Sequence, residues 1–113
     1  MRTFLIGIFT VASLSLAQAH AFLDHADPRV GSTVSSASTQ VTVWMTENLE
    51  PAFSKVQVFD AKGAEIDKRD IRVSGATMTV SLPTLAPGIY KVVWKAVAVD
   101  THHTTGTFTF TVR

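Results

Sequence analysis

Leu85-Ala86-Pro87-Gly88-Ile89-Tyr90-Lys91-Val92-Val93-Trp94-Lys95-Ala96-Val97-Ala98 reads as a tight turn that opens into a long strand. Pro87-Gly88 supplies the turn. Beyond it Tyr90, Val92, Trp94, Ala96 and Ala98 recur at every second residue, so all five fall on one face of an extended chain. The C-terminal stretch repeats the pattern. Phe108, Phe110 and Val112 point one way, and Thr107, Thr109 and Thr111 point the other.

Working towards the N-terminus, residues 40–45 are β-branched and apolar, and residues 55–59 alternate. Asp60-Ala61-Lys62-Gly63 is a turn. Residues 64–73 are expected to give another short strand, and Ser74-Gly75 turns the chain into a further one over residues 77–82. No segment after residue 19 holds a helical period. About seven short strands in so small a chain predict a two-sheet sandwich or a small barrel. Tyr90, placed just after the Pro87-Gly88 turn, suggests a tyrosine corner. That favours an all-β Greek-key sandwich of the immunoglobulin-like or cupredoxin-like kind, with Trp94, Phe108 and Phe110 in its core.

Residues 1–19 read as a secretory signal peptide. Arg2 gives the positive start, residues 4–16 the apolar stretch, and Ala17-Gln18-Ala19 an A-x-A cleavage signal. The apolar stretch is too short and interrupted for a good transmembrane helix. Ala19-His20-Ala21 is a second A-x-A signal, and cleavage there would leave Phe22 first. The first cut leaves residues 20–113 as one small domain with His20 at its amino terminus.

The chain has no cysteine, which excludes disulfides, zinc fingers, iron–sulfur clusters and thiol chemistry. Ten Lys/Arg stand against nine Asp/Glu, and one of the ten, Arg2, lies in the leader. The charges are interspersed along the sequence with no basic run, which argues against nucleic acid and against an electrostatic membrane partner.

An amino-terminal histidine chelates with two atoms, its α-amine and its imidazole Nδ1. A second cluster, Asp100-Thr101-His102-His103, lies far along the chain in the loop joining the last two strands. Asp100 and His102 are two apart, so an extended segment would point both to the same side. His20, Asp100 and His102 together offer three nitrogens and one oxygen, a set that suits a tetragonal Cu(II) ion. Zn(II) would draw the same atoms towards a tetrahedron, and Ca(II) or Mg(II) would want more oxygens. An α-amine titrates near ~8 and a histidine near ~6.5, so Cu(II) affinity is expected to fall between about pH 7 and pH 5. Each residue also has a plainer reading. His20 can be a solvated terminus, Asp100 a turn former, and His102 and His103 solvated loop histidines. His103 points away from Asp100 by spacing, His25 is expected on the surface, and Asp24 and Glu47 are surface acids that could also lie near the metal.

Several stretches together carry a family resemblance. These are His20-Ala21-Phe22-Leu23 with Pro28 and Gly31-Ser32-Thr33-Val34, then Thr46-Glu47-Asn48-Leu49, then Leu85 onward to Trp94. Val99-Asp100-Thr101-His102 with Gly106 and the strand from Phe108 to Val112 completes the series. In order and spacing they resemble the CopC family of periplasmic copper-resistance proteins. The resemblance implies a Greek-key sandwich that binds Cu(II) through an N-terminal histidine, an aspartate and a second histidine, here His20, Asp100 and His102. It also implies cleavage after Ala19, a periplasmic location and an inner-membrane partner resembling CopD. Some members carry a Cu(I) site in a methionine-rich loop. Beyond the leader this chain has only Met45 and Met78, so a Cu(II)-only member is expected. A monomeric protein that is not an enzyme is also expected.

Two other classes compete with a copper carrier or buffer. A histidine-brace oxidase or monooxygenase also uses a chelating first residue, but the domain is small and shows no evident substrate face. A metal-free adhesion or assembly module would share the sandwich and lack the site. The nucleophile-elbow spacing G-x-S-x-G is absent.

Overall fold

The computed structural model describes residues 22–35 and 38–113. Eight strands follow in chain order: β1 (Leu23–Asp27), β2 (Thr33–Val34), β3 (Gln40–Met45), β4 (Lys55–Phe59), β5 (Arg72–Ser74), β6 (Thr77–Ser81), β7 (Gly88–Val97) and β8 (His103–Val112). They form two four-stranded sheets, β1-β3-β6-β5 and β2-β8-β7-β4. All neighbours are antiparallel except β2, which runs parallel to β8 with Thr33 opposite Thr111. The order is that of an immunoglobulin-type Greek key, in which the first strand splits between the two sheets.

Alternation builds the core. β3 contributes Val41, Val43 and Met45, and β6 contributes Met78 and Val80. Across the gap lie Val56 and Val58 of β4, Tyr90, Val92 and Trp94 of β7, and Phe108, Phe110 and Val112 of β8. The five residues picked out by period two, Tyr90, Val92, Trp94 and Ala96 of β7 and Ala98 just beyond it, are all buried, as are the three from β8. Tyr90 donates its hydroxyl to the Ala86 carbonyl at 2.6 Å, which is the hydrogen bond of a tyrosine corner. Trp94 is paired with Gly106 on β8. A Cβ at Gly106 would lie 2.3 Å from Trp94 Cζ2, so the indole lies across the space a side chain would occupy.

Residues 64–73 do not make the expected strand. Phe59 and Glu65 form one isolated bridge, and regular pairing resumes only at Arg72. Two local features break the extension. The buried Asp67 carboxylate accepts the Val58 amide at 2.8 Å, so a side chain takes the place of a strand carbonyl. Arg69 has φ of 60°, outside the extended region.

Charge interspersed along the sequence is not interspersed in space. The strands of the β2-β8-β7-β4 sheet carry Lys55, Lys91 and Lys95 and no Asp or Glu.

Candidate metal centre

Val97 ends β7 and His103 begins β8, and the five residues between them form the connecting loop. Two bonds close it: the Thr101 amide donates to the Ala98 carbonyl at 2.8 Å, and the Ala98 amide to the His102 carbonyl at 3.0 Å. Thr101 adopts φ of 76°, a left-handed conformation that a β-branched residue rarely takes. Such a conformation costs on the order of 1–3 kcal/mol and persists where the surroundings enforce it.

The turn brings Asp100 and His102 together. Asp100 Oδ1 accepts the His102 amide at 3.2 Å, and Asp100 Oδ2 lies 3.1 Å from His102 Nδ1. Both side chains are about half exposed. The imidazole first, then the amide of His102, hold the Asp100 carboxyl below the ordinary carboxylate range. The juxtaposition expected from spacing is present, but its cause differs. A turn with a left-handed Thr101 makes it, not the alternation of an extended segment. The turn-forming reading of Asp100 and its pairing with His102 therefore hold at once.

The loop is tied to a segment that also receives the start of the described chain. Val99 donates its amide to the Asn48 carbonyl at 3.1 Å, and Leu49 bridges Ala98. Two residues before Asn48, Thr46 donates its amide to the Phe22 carbonyl at 2.8 Å and accepts the Phe22 amide on Oγ1 at 2.9 Å. Two residues of extended chain span about 7 Å. Phe22 and the Asp100–His102 loop thus stand at the same end of the sandwich, with the exposed Glu47 between their anchor points. His20 and the expected leader, residues 1–19, lie outside the described residues.

The other sequence candidates separate from this pair. His25 sits in β1 opposite Trp44, its ring stacked on the indole at 4.3 Å between centroids and 7° between planes. Its Nδ1 lies 2.7 Å from Asp24 Oδ2. These contacts account for both residues as surface groups. His103 lines a depression of about 380 Å³ with Glu50, Phe53, Val97 and Thr101. Met45 and Met78 are core residues, 5% and 0% exposed. Among the described residues no three His, Asp or Glu side chains are grouped so as to hold a metal ion. Two Asp–His pairs lie in contact among them, Asp24–His25 and Asp100–His102.

The CopC domain family model matches residues 23–113. Copper resistance protein C of Pseudomonas syringae pv. tomato is 35% identical over 123 aligned positions, covering 99% of this chain and 97% of that protein. Protein YobA of Escherichia coli (strain K12) is 32% identical over 99, covering 84% and 80%. Among solved structures, PcoC from Escherichia coli, described as a methionine-rich copper resistance protein, superposes with a TM-score of 0.74 at 29% identity, covering 83% of this chain and 99% of PcoC. CopC from Methylosinus trichosporium OB3b gives 0.72 at 28%, covering 82% and 93%. Fold, length and sequence agree: this chain belongs to the CopC family.

Proposed function

We propose that this chain is a periplasmic Cu(II)-binding protein that acts in copper homeostasis or resistance as a carrier or buffer. Its ligands are the amine and imidazole of His20, the Asp100 carboxylate and the His102 imidazole. The observation that carries this reading is the shared anchoring of Phe22 and Val99 on residues 46–48, beside an Asp–His pair already drawn together. Two neighbouring donors of a square-planar ion, each about 2.0 Å from it, stand about 2.8 Å apart. The 3.1 Å between Asp100 Oδ2 and His102 Nδ1 needs little adjustment to span one edge of that square. The names of the relatives, copper resistance protein C and PcoC, point the same way.

The donor set favours Cu(II). Nitrogen and carboxylate donors suit the divalent ion, whereas Cu(I) selects thioethers and thiolates. PcoC is described as methionine-rich. This chain holds its two methionines past the leader in the hydrophobic core and has no cysteine. Cargo binding at an exposed loop fits a monomeric carrier that passes copper to an inner-membrane protein resembling CopD.

The test is a Cu(II) titration followed by electron paramagnetic resonance on protein beginning at His20. The same protein with one alanine added before His20 is the comparison. Blocking the amine should change the spectrum and weaken binding by orders of magnitude. Identical spectra and affinities would remove the chelate from the assignment.

A further inference from the structure

The strands of the β2-β8-β7-β4 sheet carry three lysines and no carboxylate, and Glu65 is the acid that bridges to the sheet's edge, at Phe59. Lys55 of β4 stands directly opposite Lys95 of β7, and Lys91 of β7 stands opposite Phe59. Lys91 and Lys95 are about 13 Å apart along the strand. All three lysines are exposed, and no ion pair of the described residues involves them. Like charges directly opposite each other destabilise a sheet. Lysine is often placed on edge strands to block unwanted pairing. That explanation can serve Lys55, because β4 is an edge, but β7 lies inside the sheet between β8 and β4. Lys91 and Lys95 protect no edge.

The same face ends in an apolar depression beside the Asp100–His102 loop. Phe53 and Val97 form its apolar wall, and Glu50, Thr101 and His103 complete the lining. Phe53 is 63% exposed, and the nearby loop residue Val99 is 56% exposed. Large apolar side chains at a concave site, with Glu50 in its lining and three lysines without ion pairs on the adjoining strands, have the composition of a docking surface with an anchor pocket and a steering rim.

From this we infer that the lysine face and the Phe53 depression together form a docking site for a protein that presents an acidic surface. The partner inserts an apolar side chain beside Phe53 and sets carboxylates against Lys55, Lys91 and Lys95. Charge complementarity favours an acidic partner, because the strands of this sheet contain no carboxylate. The concave shape favours a protein over a lipid surface, which is entered by protruding apolar groups. Docking in this way would turn the Asp100–His102 loop towards the partner. The inference does not depend on which atoms hold copper.

The probe is an octaglutamate peptide ending in phenylalanine, titrated into ¹⁵N-labelled protein and followed by amide chemical shifts. Shifts should be confined to β4, β7, the start of β8 and the Glu50–Phe53 segment. The triple variant Lys55→Gln/Lys91→Gln/Lys95→Gln should keep a folded, dispersed spectrum and bind about tenfold more weakly, as should the native protein in 0.5 M salt. An octaglutamine peptide should give no shifts. Equal binding by the triple variant, shifts centred on Arg29, Arg69 or Arg72, or no shift at millimolar peptide would overturn the proposal. So would lysine-dependent binding to phosphatidylglycerol vesicles without binding to the peptide, which would assign the face to a membrane.

Discussion

Asp100 holds His102 twice, through the amide at 3.2 Å and through Nδ1 at 3.1 Å. The carboxylate therefore fixes both the backbone entry and the ring of the histidine next to it. If both residues ligate copper, the pair is largely organised before the ion arrives. Outer groups that orient a metal-binding histidine are typically worth about 10–100-fold in affinity. Asp100→Asn should lose about that much or more, since it removes a charge as well as a hydrogen bond, and His102→Ala should lose at least as much. Competitive Cu(II) titration measures both. Unchanged affinity in either variant would place the copper elsewhere on the chain.

The Trp94–Gly106 pair makes a sharper demand on packing. An alanine at position 106 puts its Cβ 2.3 Å from the indole, which must then move. Trp94 is 6% exposed and sits among core residues, so there is little room for it to do so. Gly106→Ala should destabilise the fold by about 1–3 kcal/mol, the usual range for overpacking. Urea unfolding at neutral pH will show it as a lower midpoint with the slope unchanged. The strand pairs beyond Gly106 lead directly to the Val97–His103 pair and the Asp100–His102 loop. A wild-type midpoint would mean that the indole has another place to go.

Much of this fold is legible in the sequence because a half-buried strand writes its burial in a period of two. The Tyr90-to-Ala98 alternation and the Phe108-to-Val112 alternation predict β7, β8 and their inner faces, and Tyr90 marks the corner. What escaped is what depends on side chains replacing backbone partners. Asp67 is of a type depleted in strands, but nothing in the sequence tells that its carboxylate captures the Val58 amide and diverts the chain. Thr101 at φ of 76° is equally silent, because glycine or asparagine is the residue expected in that conformation. The Asp100–His102 pair could be named from sequence, but its geometry comes from that turn. The lysine face is invisible for another reason. Lys55 and Lys95 are far apart in sequence, and only strand register sets them opposite each other.

Methionine burial separates two copper chemistries. Met45 and Met78 are enclosed by the core, so neither sulfur can reach an ion without opening the sandwich. Met45→Leu and Met78→Leu are close in volume and should cost less than about 1.5 kcal/mol. Neither should alter the Cu(II) titration. Probe competition for Cu(I) should likewise reveal no tight site that either substitution removes. Tight Cu(I) binding abolished by Met45→Ala, in a variant that remains folded, would overturn the Cu(II)-only assignment.

Asp70 provides a pH test away from the Asp100–His102 loop. Its Oδ1 accepts the Ser81 amide at 2.8 Å, and its Oδ2 pairs with Arg72 Nη1 at 2.9 Å. The carboxylate thus clips the lead-in of β5 to the end of β6. The Ser81 hydroxyl, then the Ser81 amide and Arg72, pull its pKa down to about 2. A carboxyl whose pKa is lower folded than unfolded stabilises the fold in its ionised form. That contribution is complete above the unfolded value of about 4 and disappears as pH falls through the folded value. Asp70→Asn keeps an acceptor for Ser81 and removes the charge. It should therefore unfold at a lower urea concentration than wild type at pH 6. The gap should narrow from about pH 4 downward and be largely gone near pH 2, where the wild-type carboxyl is itself about half protonated in the folded state. A gap of constant size from pH 6 to pH 2.5 would show that the charge contributes nothing. The loss would then belong to the altered hydrogen-bonding shape of the side chain.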